Sequence, residues 1–210
     1  MSAFPKPRAL WLAGLACGLL AACNIVPEKR EIRIYNAQPT VQPDAAWPRV
    51  ASQLVVQRPN ADRLTDSSRI IVRPEPGELQ VYQGAAWSQP VPDMVQDAVV
   101  RLLQDSGKLP GTARRGGGIA GDFDLAMDIR RFHSDYAGAA TPTVIVEISA
   151  SMIRNDRNRV VAQEVFTAQV PAAGTSVAEV AAAFEQALGA TSRDIAGWSL
   201  RAMQAAPSTR

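Results

Sequence analysis

Ser67 to Gly107 reads SSRIIVRPEPGELQVYQGAAWSQPVPDMVQDAVVRLLQDSG. Arg69 to Arg73 is short, rich in Ile and Val, and stopped by Pro74, Pro76 and Gly77. Glu78 to Tyr82 then alternates, with Leu79 and Val81 on one face and Gln80 and Tyr82 on the other, so two strands are expected here. The period changes after Pro90. A helix is predicted from near Pro92, with Asp93 in its opening turn, where a carboxylate meets the positive end of the helix dipole. Val95, Ala98, Val99, Leu102 and Leu103 fall at i, i+3, i+4, i+7 and i+8, one apolar stripe that must cover a sheet; Gly107 and Pro110 end it.

The same two periods recur on either side. Upstream, Ile32, Ile34 and Tyr35 make a first apolar alternation, and Gln53 to Gln57 a second strand. Between them, Gln38 to Arg49 holds three prolines and Trp47 without periodicity, and is expected to cross the surface as a long loop. Downstream, Asp122 to Arg130 places Phe123, Leu125, Met127 and Ile129 on one face, with Asp122, Asp124, Asp128 and Arg130 on an opposite face expected to be solvated. Thr143 to Ile153 and Arg159 to Val170 are joined by Asn155, Asp156, Arg157 and Asn158, a turn between hairpin partners. The last element opens at Ser176 with Glu179 three residues on, a capping-box spacing, and carries Val177, Val180, Ala181, Phe184, Leu188, Ile195 and Trp198 at a helical period. The fold class expected is α/β: a single domain, residues 31–206, of an antiparallel or mixed sheet with two main helices packed on one face.

The N-terminal segment has a different character. Ala9 to Ala22 is apolar without a charge, follows Lys6 and Arg8, and is shorter than the ~20 residues of a bilayer-spanning helix. Residues 1–22 read as a secretory signal peptide. Leu20, Ala21 and Ala22 then precede Cys23, which resembles the lipobox of bacterial lipoproteins and makes Cys23 the lipidation site. Cys17 follows Gly14, Leu15 and Ala16 and fits less well, because a bulky Leu stands at a position that needs a small residue. Residues 23–30 form a lipidated tether. Loss of Lys6 and Arg8 lowers the 22 basic side chains to 20, equal to the 20 acidic ones. A neutral balance offers no basic field for nucleic acid. With Cys23 acylated, no cysteine remains for a disulfide.

The candidate motifs for chemistry are weak. Gly116, Gly118 and Gly121 satisfy G-x-G-x-x-G beside Arg114 and Arg115, but they lead into a strand rather than opening a helix, so a flexible connection is expected instead of a nucleotide site. His133 is the only histidine, and a triad could be built only around it; Asp135 is near, but neither Ser106 nor Ser134 lies in a nucleophile elbow. Asp122, Asp124 and Asp128 share a strand face and read as solvated carboxylates beside Arg130 and Arg131. The expectation is a protein with no catalytic residues, no metal and no cofactor.

Within Ser67 to Gly107, a strand ending in Arg-Pro, then Gly77-Glu78-Leu79 followed by Tyr82, then Trp87 before the Pro90-x-Pro92 that opens a helix, resembles the central signature of the ABC-type transport auxiliary lipoproteins, the family of the paraquat-inducible auxiliary lipoprotein. The lipobox, DFDLAMDIRRFHSDY and the Ala-rich last helix follow in the family's order. EIRIYNAQ departs from the family's usual Tyr-x-Leu strand. The resemblance implies a fold similar to the N-terminal domain of TolB. It also implies a periplasmic partner of a lipid-moving ABC system, with its permease and ATPase, that works with a mammalian-cell-entry (MCE) protein. Asn24 after the cysteine, in place of Asp, favours the periplasmic face of the outer membrane over the inner membrane. A homo-oligomer is left open.

For the partner, Tyr82, Trp87, Pro90 and Pro92 are the candidate docking edge, set against the alternative that Trp87 caps the core. Trp47 is expected at the lipid headgroups. Two other classes stand beside transport: an assembly factor or pilot of an outer-membrane secretion complex that adds a strand to an exposed edge, and a hydrolase built around His133.

Overall fold

In the computed structural model, which describes residues 31–206, one long strand organises the sheet. β7 (Phe123–Asp135) pairs along its whole length with β8 (Thr143–Arg154), which pairs in turn with β9 (Arg159–Pro171), all antiparallel. Its other edge is lined in sequence by three short parallel pieces: β2 (Leu54–Val56) against Phe123–Leu125, β3 (Asn60–Ala61) against Asp128–Ile129, and β4 (Arg69–Arg73) against Ser134–Asp135. Beyond β4 lie β5 (Gln80–Trp87), antiparallel, and β1 (Arg33–Tyr35), parallel to β5; beyond β2 lies β6 (Thr112–Arg114), also parallel. The expected class, a single α/β domain with two helices on a sheet, is the observed one, and the sheet is mixed.

The alternation of β7 holds as far as Ile129. Phe123, Leu125, Met127 and Ile129 are all buried; a bulge between Ile129 and Arg131 then shifts the phase, so that Phe132 and Ser134 take the core side. Helix α1 (Val91–Ser106) starts on Pro90 with no side-chain cap, and Gly107 closes it in the left-handed conformation at φ 59°. Asp93 in its first turn accepts from Arg58 Nε at 2.6 Å, and Arg58 also pairs with Asp66 at 2.7 Å, which fixes the β2–β3 connection to the helix start. Helix α2 (Val177–Ala205) opens with the capping box read from sequence: Glu179 N donates to Ser176 Oγ, and Ser176 N donates to the Glu179 carboxylate at 3.1 Å. Val95, Val99, Leu102 and Leu103 of α1 and Phe184, Leu188 and Ile195 of α2 join Leu54, Leu125, Ile148 and Met152 of the sheet in one core.

Two expectations are corrected. The segment 38–49 does not hold Trp47 out toward lipid: Trp47 is 7% exposed, because the segment lies as a strap against α2. Gly197 of α2 permits this approach, since a Cβ there would stand 2.7 Å from Trp47 Nε1, and Arg193 pairs with Asp44 at 3.3 Å beside it. Asp124 is not solvated but buried. It accepts from Gln57 Nε2 at 2.8 Å and Asn155 Nδ2 at 3.0 Å and pairs with Arg115, tying β2, the hairpin turn and the glycine-rich connection together. Ile32 and Ile34, by contrast, do not face the core: they are 64% and 62% exposed.

Candidate functional site

The structure separates the four residues of the expected docking edge. β5 runs on to Trp87 instead of stopping at Tyr82, which turns Trp87 inward. Trp87 is 2% exposed, edge-on to Phe184 at 5.2 Å and to Phe132 at 6.3 Å, with Phe132 stacked on Phe184 at 4.9 Å. It is a core plug, and its indole Nε1 has no hydrogen-bond partner among the described residues. Pro92 is buried in the first turn of α1, and Pro90 caps that helix half-buried. Of the four, only Tyr82 reaches a sheet edge with a polar group. Its hydroxyl shares a hydrogen bond of 3.1 Å with Ser134 Oγ, and burial pushes its phenol up.

The surface that sequence reading missed lies at the outer edge of the sheet. β1 covers only Ala85–Trp87 of β5, and Ile34 on this outermost strand and Ile32 just before it project into solvent. The available signal was the placement of these two isoleucines among Glu31, Arg33 and Asn36, a strand with too little apolar length for a core position.

His133 lies on the face of β7 away from the helices, 8% exposed, between the Arg73–Asp135 and Arg131–Glu147 ion pairs. Its Nε2 has no hydrogen-bond partner among the described residues. Burial, and then the Arg73 charge, push the imidazole below its ordinary value, while Asp135 pulls it up; Asp135 itself is held below the usual carboxylate range chiefly by the Arg73 hydrogen bond. Ser134, the next residue, points to the opposite face, as neighbours on a strand must. Ser106 donates to Leu103 O at 2.6 Å at the end of α1. Neither serine meets the imidazole. Gly116 to Gly121 forms exposed turns between β6 and β7, with no helix following. Asp122 accepts from Gln53 N at 2.7 Å and Asp124 is held as above. Among the described residues no three His, Cys, Asp or Glu side chains converge as a metal-ligand set. Cys23, the tether and the signal segment lie outside the described residues. No helix among those described is long and apolar enough to cross a membrane.

Comparison with known proteins agrees with this architecture. Protein XCC0632 from Xanthomonas campestris, a DUF330 protein of known crystal structure, is 48% identical, with a TM-score of 0.79 over 82% of this chain and 97% of its own. The hypothetical protein CT253 from Chlamydia trachomatis, at 10% identity and TM-score 0.55 over 73% of this chain and 98% of its own, shares the fold alone. No curated protein matches. Residues 34–196 match the family described as the ABC-type transport auxiliary lipoprotein component, a span that takes in every strand from Ile34 onward, α1 and most of α2. The chain belongs to the ABC-type transport auxiliary lipoprotein family, whose members are held at a membrane as lipoproteins.

Proposed function

We propose that this protein is the periplasmic auxiliary lipoprotein of an ABC lipid-transport system that works with an MCE-type protein. It is anchored through Cys23 to the outer membrane, and it acts by binding its partner and holding it at that membrane, with no catalytic step of its own. The observation that carries the reading is the family match over residues 34–196, joined to the Leu20-Ala21-Ala22-Cys23 lipobox. The physical logic is that an acyl chain crosses an aqueous space only along a covered apolar path. A lipoprotein fixed in one leaflet can hold the end of such a path, since each buried CH₂ of its anchor contributes ~0.8 kcal/mol and two or three chains make attachment durable.

With Trp87 inside the core, the docking surface on this reading is the outer edge of β1, the first strand after the tether, with exposed Ile34 on the strand and exposed Ile32 just before it. A strand of the partner added there would gain main-chain hydrogen bonds and two aliphatic anchors. Co-purification of the MCE-type protein with the wild-type chain, lost on Ile34→Glu, supports this. A folded wild-type protein that retains no such partner overturns it. Gradient fractionation tests the location: sedimentation wholly with inner-membrane markers would refute outer-membrane anchoring.

A further inference from the structure

The tip of the β8–β9 hairpin and the end of α2 enclose a cleft of about 310 Å³ that no reading above uses. Its walls are small and aliphatic, with Val161 and Ala162 of β9 facing Ala202 of α2, and three arginines, Arg154, Arg157 and Arg159, stand at its rim. The register explains the crowding of charge. A bulge opposite Met152 and Ile153 makes Val161 the extra residue, and beyond it Arg154 comes directly opposite Arg159. Like charges in that position weaken a sheet.

Part of this charge is already met. Arg154 pairs with Asp156 at 3.3 Å and lies over the Phe123 ring at 5.5 Å. Neither Arg157 nor Arg159 has a carboxylate partner among the described residues. The C-terminus of α2 supplies a partial negative charge of about half an electron, which offsets a fraction of three guanidiniums and gives no reason for aliphatic walls.

We propose that this cleft binds one anionic amphiphile, its phosphate or carboxylate head held by Arg157 and Arg159 and its alkyl chain lying along Val161, Ala162 and Ala202. A guanidinium fork matches the oxygens of either head group. The volume lies at the small end of the range for ligand pockets, which suits one chain and not two. A bare anion would satisfy the arginines and leave the walls wet; a neutral chain would cover the walls and leave the charges unmet. The site extends the transport reading by naming a ligand class but stands on its own geometry.

The test uses the full lipidated chain in phosphatidylcholine nanodiscs, irradiated with a diazirine-bearing alkyl phosphate, with the labelled peptides mapped by mass spectrometry. Label is expected on the start of β9 and the last turns of α2. The exposed double variant Arg157→Glu/Arg159→Glu should lower it about tenfold or more, the loss of charge-assisted hydrogen bonds, and Ala202→Trp, which fills the cleft, should do the same. Excess dodecyl phosphate or dodecanoate should compete, whereas dodecyltrimethylammonium and inorganic phosphate should not. Undiminished labelling in a folded double variant, or label elsewhere on the chain, overturns the proposal. Competition by inorganic phosphate equal to that of dodecyl phosphate overturns the alkyl half of it and leaves a simple anion site. Partner capture by the double variant should match wild type, so failure of this site and failure of the transport reading give different results.

Discussion

Replacing Trp87 separates core from docking surface. The side chain is 2% exposed and packed edge-on to Phe132 and Phe184. A buried aromatic covers roughly 150–250 Å², which at about 25 cal/mol per Å² is worth roughly 4–6 kcal/mol as an upper estimate. Measured truncations of this kind cost about 3–5 kcal/mol. In a domain of this size each kcal/mol moves the melting temperature by ~2–4 °C, so Trp87→Ala should melt about 6–20 °C lower. Trp87→Phe should be much milder. It keeps an aromatic ring between the two phenylalanines and removes the indole N–H, which has no partner and carries a desolvation cost of about 1–3 kcal/mol. The assay is thermal melting by circular dichroism on both variants, with partner capture measured well below the lower melting point. Capture should survive in both. A Trp87→Ala protein that melts with wild type but no longer captures the partner would refute the core assignment. A Trp87→Phe protein as unstable as Trp87→Ala would show that the indole N–H contributes a bond in the fold.

Gly197→Ala should destabilise the domain: its methyl would stand 2.7 Å from Trp47 Nε1, an overpacking cost of about 1–3 kcal/mol that exceeds the gain of up to ~1 kcal/mol in helix propensity. A higher melting temperature would show that the strap moves aside freely. Acid should weaken the fold in two stages. His133, whose folded value lies below 6.5, favours its neutral form, so its contribution is complete above 6.5 and falls as pH drops below it. Asp135, held below 3.8 by Arg73, contributes above 3.8 and is lost as pH falls through its lower folded value. Melting curves across this range should therefore show the upper stage abolished by His133→Gln, and an unchanged upper stage would refute its assignment. Cys23→Ala should yield an unlipidated precursor, and mass spectrometry finding a free thiol at Cys23 in the mature wild-type protein would exclude it as the anchor point.

Local physics was legible in the sequence wherever a residue's role depends on its near neighbours. The Ser176–Glu179 capping box, the stop at Gly107, the alternation of β7 up to Ile129 and the β8–β9 hairpin each involve groups a few residues apart, and each was found where the residues put it. Family membership rested on the same kind of evidence, the fixed spacing of Arg-Pro, Gly-Glu-Leu, Tyr82, Trp87 and Pro-x-Pro. Burial was another matter, because it depends on what covers a face, and the covering element can lie far along the chain. Asp124 looks solvated by alternation until Gln57, Arg115 and Asn155 arrive from three other segments. Trp47 looks like a membrane anchor until Gly197, 150 residues later, opens a place for it on α2. Trp87 became a core residue because Phe132 and Phe184 meet around it, one phase-shifted by a bulge that the sequence does not announce. The turn Asn155–Asn158 already sets Arg154 opposite Arg159, but only the tertiary structure brings the end of α2 against them, and only there do three ordinary turn arginines become the rim of an apolar cleft.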